Sequence, residues 1–170
     1  MIKAEDIRNA NPGDKVVSNT GVVFYVIEAS FIDLYRKIRR GAQIIPLKDI
    51  GLIITEAGLN KDSVVVEAGA GSGALCCFLG KICKKVYSYE IREDFDRIVN
   101  ANIEMLGLKN IILKNTDAKK GFSVKNADAV ILDLPDPWNF IEQAKACLNS
   151  GGFLISYSPT IPQVMDFVNS

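Results

Sequence analysis

Apolar and polar positions along the 170-residue chain change rhythm near residue 60. Before that point the pattern is short and mixed. Val16-Val17 and Val22-Val23-Phe24-Tyr25-Val26 flank Ser18-Asn19-Thr20-Gly21, which predicts a hairpin within Asp14–Val26. Phe31, Leu34, Tyr35 and Ile38 recur at helical spacing, and Asp49 to Leu59 predicts a further helix closing at Gly58. From Ser63 onward strands and helices alternate. Strands are expected at Val64–Val66, Val86–Glu90, Ile111–Leu113, Ala129–Leu132 and Phe153–Ile155. Helices are expected over Ala74–Ile82, over 93–106 through Phe95, Ile98, Val99, Ile103 and Leu106, and through Phe140, Ile141, Ala144 and Leu148. Gly107 ends the second of these, and Asn149-Ser150-Gly151-Gly152 ends the third. Apolar strands separated by helices imply βαβ units, hence an α/β domain with a parallel sheet covered on both faces. The expected organisation is an N-terminal segment over 1–60 and the α/β domain over 61–170.

Composition narrows the chemistry. Twenty Lys+Arg against twenty Asp+Glu give a formal charge of zero, so any nucleic-acid contact must use a local patch. Arg36, Lys37, Arg39 and Arg40 could be such a patch or a solvated helix end. The absence of histidine excludes Ser-His-Asp and Cys-His catalysis and every His-containing metal site. Cys76, Cys77, Cys83 and Cys147 form no C-x-x-C pair and read as reduced core thiols, so no metal is expected. The first residues lack a signal-peptide core, and no apolar run approaches the roughly 20 residues of a membrane span, which leads to the expectation of a cytoplasmic protein.

The most informative segment is Val66-Glu67-Ala68-Gly69-Ala70-Gly71-Ser72-Gly73-Ala74, a strand running through three alternating glycines into a helix. Such a loop lets a ligand approach the backbone. It also satisfies G-x-G-x-x-A, so a dinucleotide must be weighed. Glu67 favours a different cofactor: beside the loop it would repel a diphosphate and attract the sulfonium and amino group of S-adenosyl-L-methionine. Glu90 ends the next strand, seventeen residues after Gly73, where a carboxylate can accept ribose hydroxyls. Asp117, after the third strand, could accept an adenine amino group or could simply cap a turn.

The fourth strand ends in Leu132-Asp133-Leu134-Pro135-Asp136-Pro137-Trp138. Strand ends in an open α/β sheet face one crevice, so Glu67, Glu90, Asp117 and Asp133 should converge there. Pro135 and Pro137 remove two donors and leave outward carbonyls, while Trp138 could stack on a planar base. An acceptor-rich crevice suits an amino-purine.

These two motifs, with Arg40-Gly41-Ala42-Gln43-Ile44-Ile45-Pro46-Leu47-Lys48-Asp49 and Ser156-Tyr157-Ser158-Pro159-Thr160-Ile161-Pro162-Gln163-Val164, resemble the tRNA (adenine-N1)-methyltransferases that modify the T-loop adenine. The resemblance covers most of 40–168. It implies a Rossmann-like methyltransferase core, S-adenosyl-L-methionine as donor with S-adenosyl-L-homocysteine as product, tRNA adenine 57 or 58 as acceptor, and a homotetramer. It further implies that Asp133 is catalytic and that Glu67, Gly69, Ala70, Gly71, Gly73 and Ala74 form the donor loop. Glu90 with Ile91 would hold the ribose, Asp117 with Ala118 the adenine, and Gln43 would lie over the cofactor. Pro135 and Trp138 fall to the substrate. The family continues beyond strand five, so a truncated chain with an open sheet edge is expected. Rival readings are a methyltransferase of another RNA base, protein or small molecule, a donor-binding subunit without catalysis, and a nicotinamide oxidoreductase.

Overall fold

A computed structural model describes residues 1–170 and divides them into two compact units, Met1–Arg36 and Lys37–Ser170. In the first, α1 (Ala4–Asn9) precedes the antiparallel pair β1 (Lys15–Val17) and β2 (Val23–Tyr25), followed by α2 (Phe31–Tyr35). The hairpin forms where expected, with the Ser18 hydroxyl accepting the Val22 N–H at 3.1 Å. Ser30 and Asp33 close a capping box at the start of α2. That helix does not extend to Ile38, which belongs to the second unit and is buried there.

The second unit starts at Lys37, not near residue 60, because 37–60 carries its own buried apolar residues, Ile38, Ile45, Ile50 and Ile53. Its elements are α3 (Leu47–Glu56), β3 (Val64–Ala68), α4 (Ala74–Ile82), β4 (Lys85–Glu90), α5 (Glu93–Met105), β5 (Ile111–Asn115), β6 (Ala127–Leu132), α6 (Ile141–Cys147), β7 (Leu148–Ser156) and α7 (Ile161–Val168). The five strands are parallel in the order β5-β4-β3-β6-β7, so the chain order reverses between β3 and β6. That reversal leaves a crevice beyond the carboxyl ends of the strands. The central β3 and β6 read as continuous apolar runs because both faces are covered. Each fully buried Val or Leu there contributes about 1.5–3 kcal/mol relative to exposure. Glu67 interrupts this run, and a carboxyl at the centre of a sheet marks chemistry rather than packing.

Two expectations are corrected. Asn149-Ser150-Gly151-Gly152, read as a helix stop and loop, is strand: β7 begins at Leu148 and runs to Ser156, with a register shift against β6 between Ala127 and Ala129. Its glycines serve the irregularity. Gly151 has φ +86°, and a Cβ on Gly152 would lie 3.1 Å from the Ala127 carbonyl oxygen. The second correction is α7, absent from the expected elements although Ile161, Val164, Met165 and Val168 stand at helical spacing; Thr160 caps it and Phe167 packs against the core cluster of Val66, Val130, Leu132 and Phe140. As expected, β7 forms one edge of the sheet. No helix is long and apolar enough to cross a membrane.

Candidate active site

The glycine loop leaves β3 and enters α4 through three residues of positive φ: Gly69 (+96°), Gly71 (+51°) and Gly73 (+76°). Their reasons differ. A Cβ on Gly69 would sit 2.1 Å from the Asp133 carbonyl oxygen, and one on Gly73 would sit 2.9 Å from Val99 of α5. At Gly71 the nearest atom is the Ala42 Cβ, at 3.5 Å. Two of the glycines therefore serve packing, and only Gly71 has room on its open side. Loop N–H groups are already occupied: Gly69 and Ala70 both donate to the Tyr89 carbonyl (2.9 and 3.1 Å), Gly73 to Ala70 (2.7 Å), and Gly71 to Glu90 Oε2 (2.8 Å). A diphosphate would find these four donors spent.

Glu90 is a buried hub. Besides the Gly71 N–H, its Oε1 accepts from the Ile91 and Arg92 N–H groups at 3.0 Å each and from Arg92 Nε at 3.3 Å. Glu67 lies beneath the loop, only 1% exposed, opposite Ser88 in the parallel register, and that hydroxyl donates to its Oε2. Burial pushes the Glu67 carboxyl up to about 8, against the opposing effect of the Ser88 hydrogen bond. Asp133 follows β6, its N–H bonded to the Ala68 carbonyl at 2.9 Å, and burial pushes its carboxyl up to about 6.

Two adjoining hollows meet at Gly69, Glu90, Ile91, Leu134 and Pro135. The larger, about 650 Å³, is lined by Gln43, Gly71, Arg92 and Asp133, together with Tyr157, Pro159 and Gln163. The smaller, about 220 Å³, is lined by Tyr89, Thr116, Asp117, Ala118, Lys119, Asp136 and Phe140. Glu67, Ala70 and Ala74 line a third, tight space beneath, shared with Gln43 and Asp133. The structure thus gathers Gln43, Gly69, Gly71, Glu90, Ile91, Asp117, Ala118, Asp133 and Pro135 around one cleft, with Glu67 below its floor. Gly73 does not line it, and neither does Trp138, which sits half-buried in a 3-10 turn. Asp117 lines the smaller hollow and also caps the turn that follows it, accepting the Lys119 N–H at 2.9 Å. The Pro135 carbonyl, expected to face outward as a free acceptor, is taken by Gln163 Nε2 at 3.0 Å.

Tyr157, Pro159 and Gln163 line the cleft without any individual signal in the sequence beyond their shared motif. Their position after a strand that ends at the same crevice was the available signal. Tyr157 also donates its hydroxyl to Asp49 of α3 at 3.1 Å. The four cysteines are buried free thiols; Cys76 is held above the usual thiol range by its neighbour Cys77 and by burial, and Cys83 and Cys147 chiefly by burial, so these three are not poised as thiolates.

Sheet order, spent loop donors and an acid-lined cleft define a class I, Rossmann-like methyltransferase domain. Solved structures agree. An S-adenosyl-methionine-dependent O-methyltransferase of Thermotoga maritima superposes with a TM-score of 0.89 at 31% identity, covering 99% of this chain and 64% of its own. The tRNA (m1A58) methyltransferase TrmI of Aquifex aeolicus gives 0.80 at 26%, covering 94% and 72%. The tRNA (adenine(57)-N(1)/adenine(58)-N(1))-methyltransferase TrmI of Methanocaldococcus jannaschii is 33% identical over 189 aligned residues, 94% of this chain and 67% of that protein. The family described as tRNA methyltransferase complex GCD14 subunit matches residues 25–170, and the chain belongs to it. The chain spans about two thirds of the length of these relatives.

Proposed function

We propose that the chain is an S-adenosyl-L-methionine-dependent methyltransferase that acts on N1 of the T-loop adenine of tRNA, at position 57 or 58. The observation that carries this reading is the acid-lined cleft whose glycine-loop donors are already bonded, which suits a cationic methyl donor and opposes a diphosphate. Family membership supports tRNA as the acceptor. A cleft of about 650 Å³ falls within the roughly 300–1,000 Å³ range of small-molecule sites.

Glu90 would hold the ribose, Asp117 and Ala118 the adenine in the smaller hollow, and Gly71 and Gln43 the amino-acid end above Glu67. Bound there, the donor supplies an electrophilic methyl on a cationic sulfur. The acceptor nitrogen already carries a lone pair, so no histidine base is required, and positioning contributes much of the rate. Asp133 accepts the N6–H of the target adenine, raising electron density at N1 and stabilising the cation that methylation creates. Pro135 and Tyr157 bound the acceptor side of the cleft. The family resemblance adds a homo-oligomer, which sedimentation would read.

Incubation with labelled donor and unmodified tRNA, followed by nucleoside analysis, tests the reading. N1-methyladenine is expected. A different methylated nucleoside redirects the acceptor, and absence of transfer with S-adenosyl-L-homocysteine still bound assigns a donor-binding subunit instead.

A further inference from the structure

The apolar face of α5 contains one polar residue. Phe95 and Val99 are buried on it, and one turn on, where another apolar side chain belongs, stands Asn102 at 1% exposure. All of its side-chain polar atoms are engaged. Oδ1 accepts the Arg39 N–H at 2.8 Å, and Nδ2 donates to the Arg39 carbonyl and to the Ser72 carbonyl, each at 2.9 Å. Ser72, in the middle of the glycine loop and also 1% exposed, turns its Oγ to the same segment and accepts the N–H groups of Gly41 and Ala42 at 3.0 Å each.

The segment so gripped has no regular secondary structure and delivers Gln43 to both the main cleft and the space above Glu67. Every bond is to backbone, so the grip sets the position of the segment without regard to the side chains of Arg39 or Ala42. Gly41 lets it lie close on α5, since a Cβ there would be 2.8 Å from Ile98 Cδ1. Packing alone would be served better by a leucine at 102, because a buried amide costs stability unless every group is paired.

We infer that Asn102 and Ser72 form a clasp that positions Gln43 over the methyl donor, so that two residues outside the lining of the two main hollows, Ser72 lining only the tight space above Glu67, set donor affinity. This rests on the methyl-donor reading proposed above. Asn102 and Ser72 are positioning residues, and their effect must pass through Gln43.

Binding of S-adenosyl-L-homocysteine to the full chain by calorimetry, with thermal unfolding of the same samples, tests this in the variants Asn102→Asp, Ser72→Ala and Gln43→Ala and in the corresponding doubles. Asn102→Asp keeps the acceptor and loses the donors, and Ser72→Ala is the independent second probe should Asn102→Asp not fold. Each single variant is expected to raise Kd about tenfold. In the Gln43→Ala background, Asn102→Asp or Ser72→Ala should add less than about twofold, because the interaction they serve is already gone. Unchanged Kd with a lowered melting temperature, or effects that multiply fully with Gln43→Ala, would overturn the clasp. Failure of the unsubstituted chain to bind the product would overturn the methyl-donor reading itself, and the clasp with it.

Discussion

The two walls of the cleft are built differently. On the glycine-loop wall, Glu67, Ser72, Glu90 and Asn102 are all buried and bonded chiefly to neighbouring backbone, with the Ser88 hydroxyl on Glu67 and the Arg92 guanidinium on Glu90. The facing wall, from Asp133 to Pro135 and from Tyr157 to Gln163, is half-exposed and held by few side-chain bonds, chiefly Gln163 to the Pro135 carbonyl and Tyr157 to Asp49. A wall that is fully satisfied is already organised for a small cofactor of fixed shape. An open wall suits a large substrate that brings its own contacts. The difference teaches that donor binding and acceptor handling should be separable by mutation.

The sharpest way to break that separation is Asp133→Ala. Methyl transfer should fall about 10²–10³-fold while the Kd for S-adenosyl-L-homocysteine changes less than about threefold, as measured by labelled-methyl incorporation beside calorimetry. Normal turnover would remove Asp133 from the chemistry.

Gly69→Ala and Gly71→Ala probe the organised wall from two sides. At Gly69 the new methyl meets the Asp133 carbonyl at 2.1 Å on a backbone of φ +96°, so stability should drop by about 3 kcal/mol or more in denaturant titration. At Gly71 the methyl clears its neighbours, and only about 1–2 kcal/mol of left-handed strain is expected, with donor affinity lost instead. Equal losses of stability would mean that the loop has no ligand side.

Titration of Glu67 gives a third test. Its folded carboxyl stands near 8 against an ordinary value of 4.5, so the folded state binds the extra proton between those limits. Stability of the donor-free protein therefore should be fullest below about pH 4.5 and decline as pH rises towards 8, by an amount on the order of a few kcal/mol. No histidine titrates in that window to obscure it. Glu67→Gln should remove most of the slope and leave the smaller decline due to Asp133, whose carboxyl burial pushes up to about 6. A cationic donor should favour the ionised carboxylate, so its binding near pH 7 should release protons, visible as a dependence of calorimetric enthalpy on the buffer. Proton uptake would contradict the placement of the donor's charge above Glu67.

The smallest effect is expected at Gln163→Ala, which removes the tie to the Pro135 carbonyl. About 1 kcal/mol of stability and a several-fold rise in KM for tRNA are expected, with donor Kd unchanged. A shift in donor Kd would show that the open wall also organises the cofactor.

Much of the organised wall was legible in the residues. The run from Val64 into three alternating glycines could only be a strand, a turn and a helix, and Glu67 and Glu90 at strand ends announced acids at the crevice. Asn102 was not read, although a polar residue at an apolar position of a helical period was the available signal. The glycines at 151 and 152 were misread because a helix stop and a bulge ask for the same residue. The helix after residue 160 is not among the expected elements although Ile161, Val164, Met165 and Val168 stand at helical spacing; that apolar face points outward, and it is Phe167 that docks the helix on the core, which only the tertiary structure shows.

The sequence by itself determined the βαβ order, the parallel sheet and the chemical character of the cleft, because periodicity, turn residues and charge act locally along the chain. The tertiary structure decided which glycines serve packing, which carboxyl is buried deeply enough to hold a proton near neutrality, and that residues 37–60 belong with the sheet. It also decided that Asn102 and Ser72 share one backbone segment. Those facts depend on burial and on pairings between residues 30 or more positions apart, which no local pattern encodes.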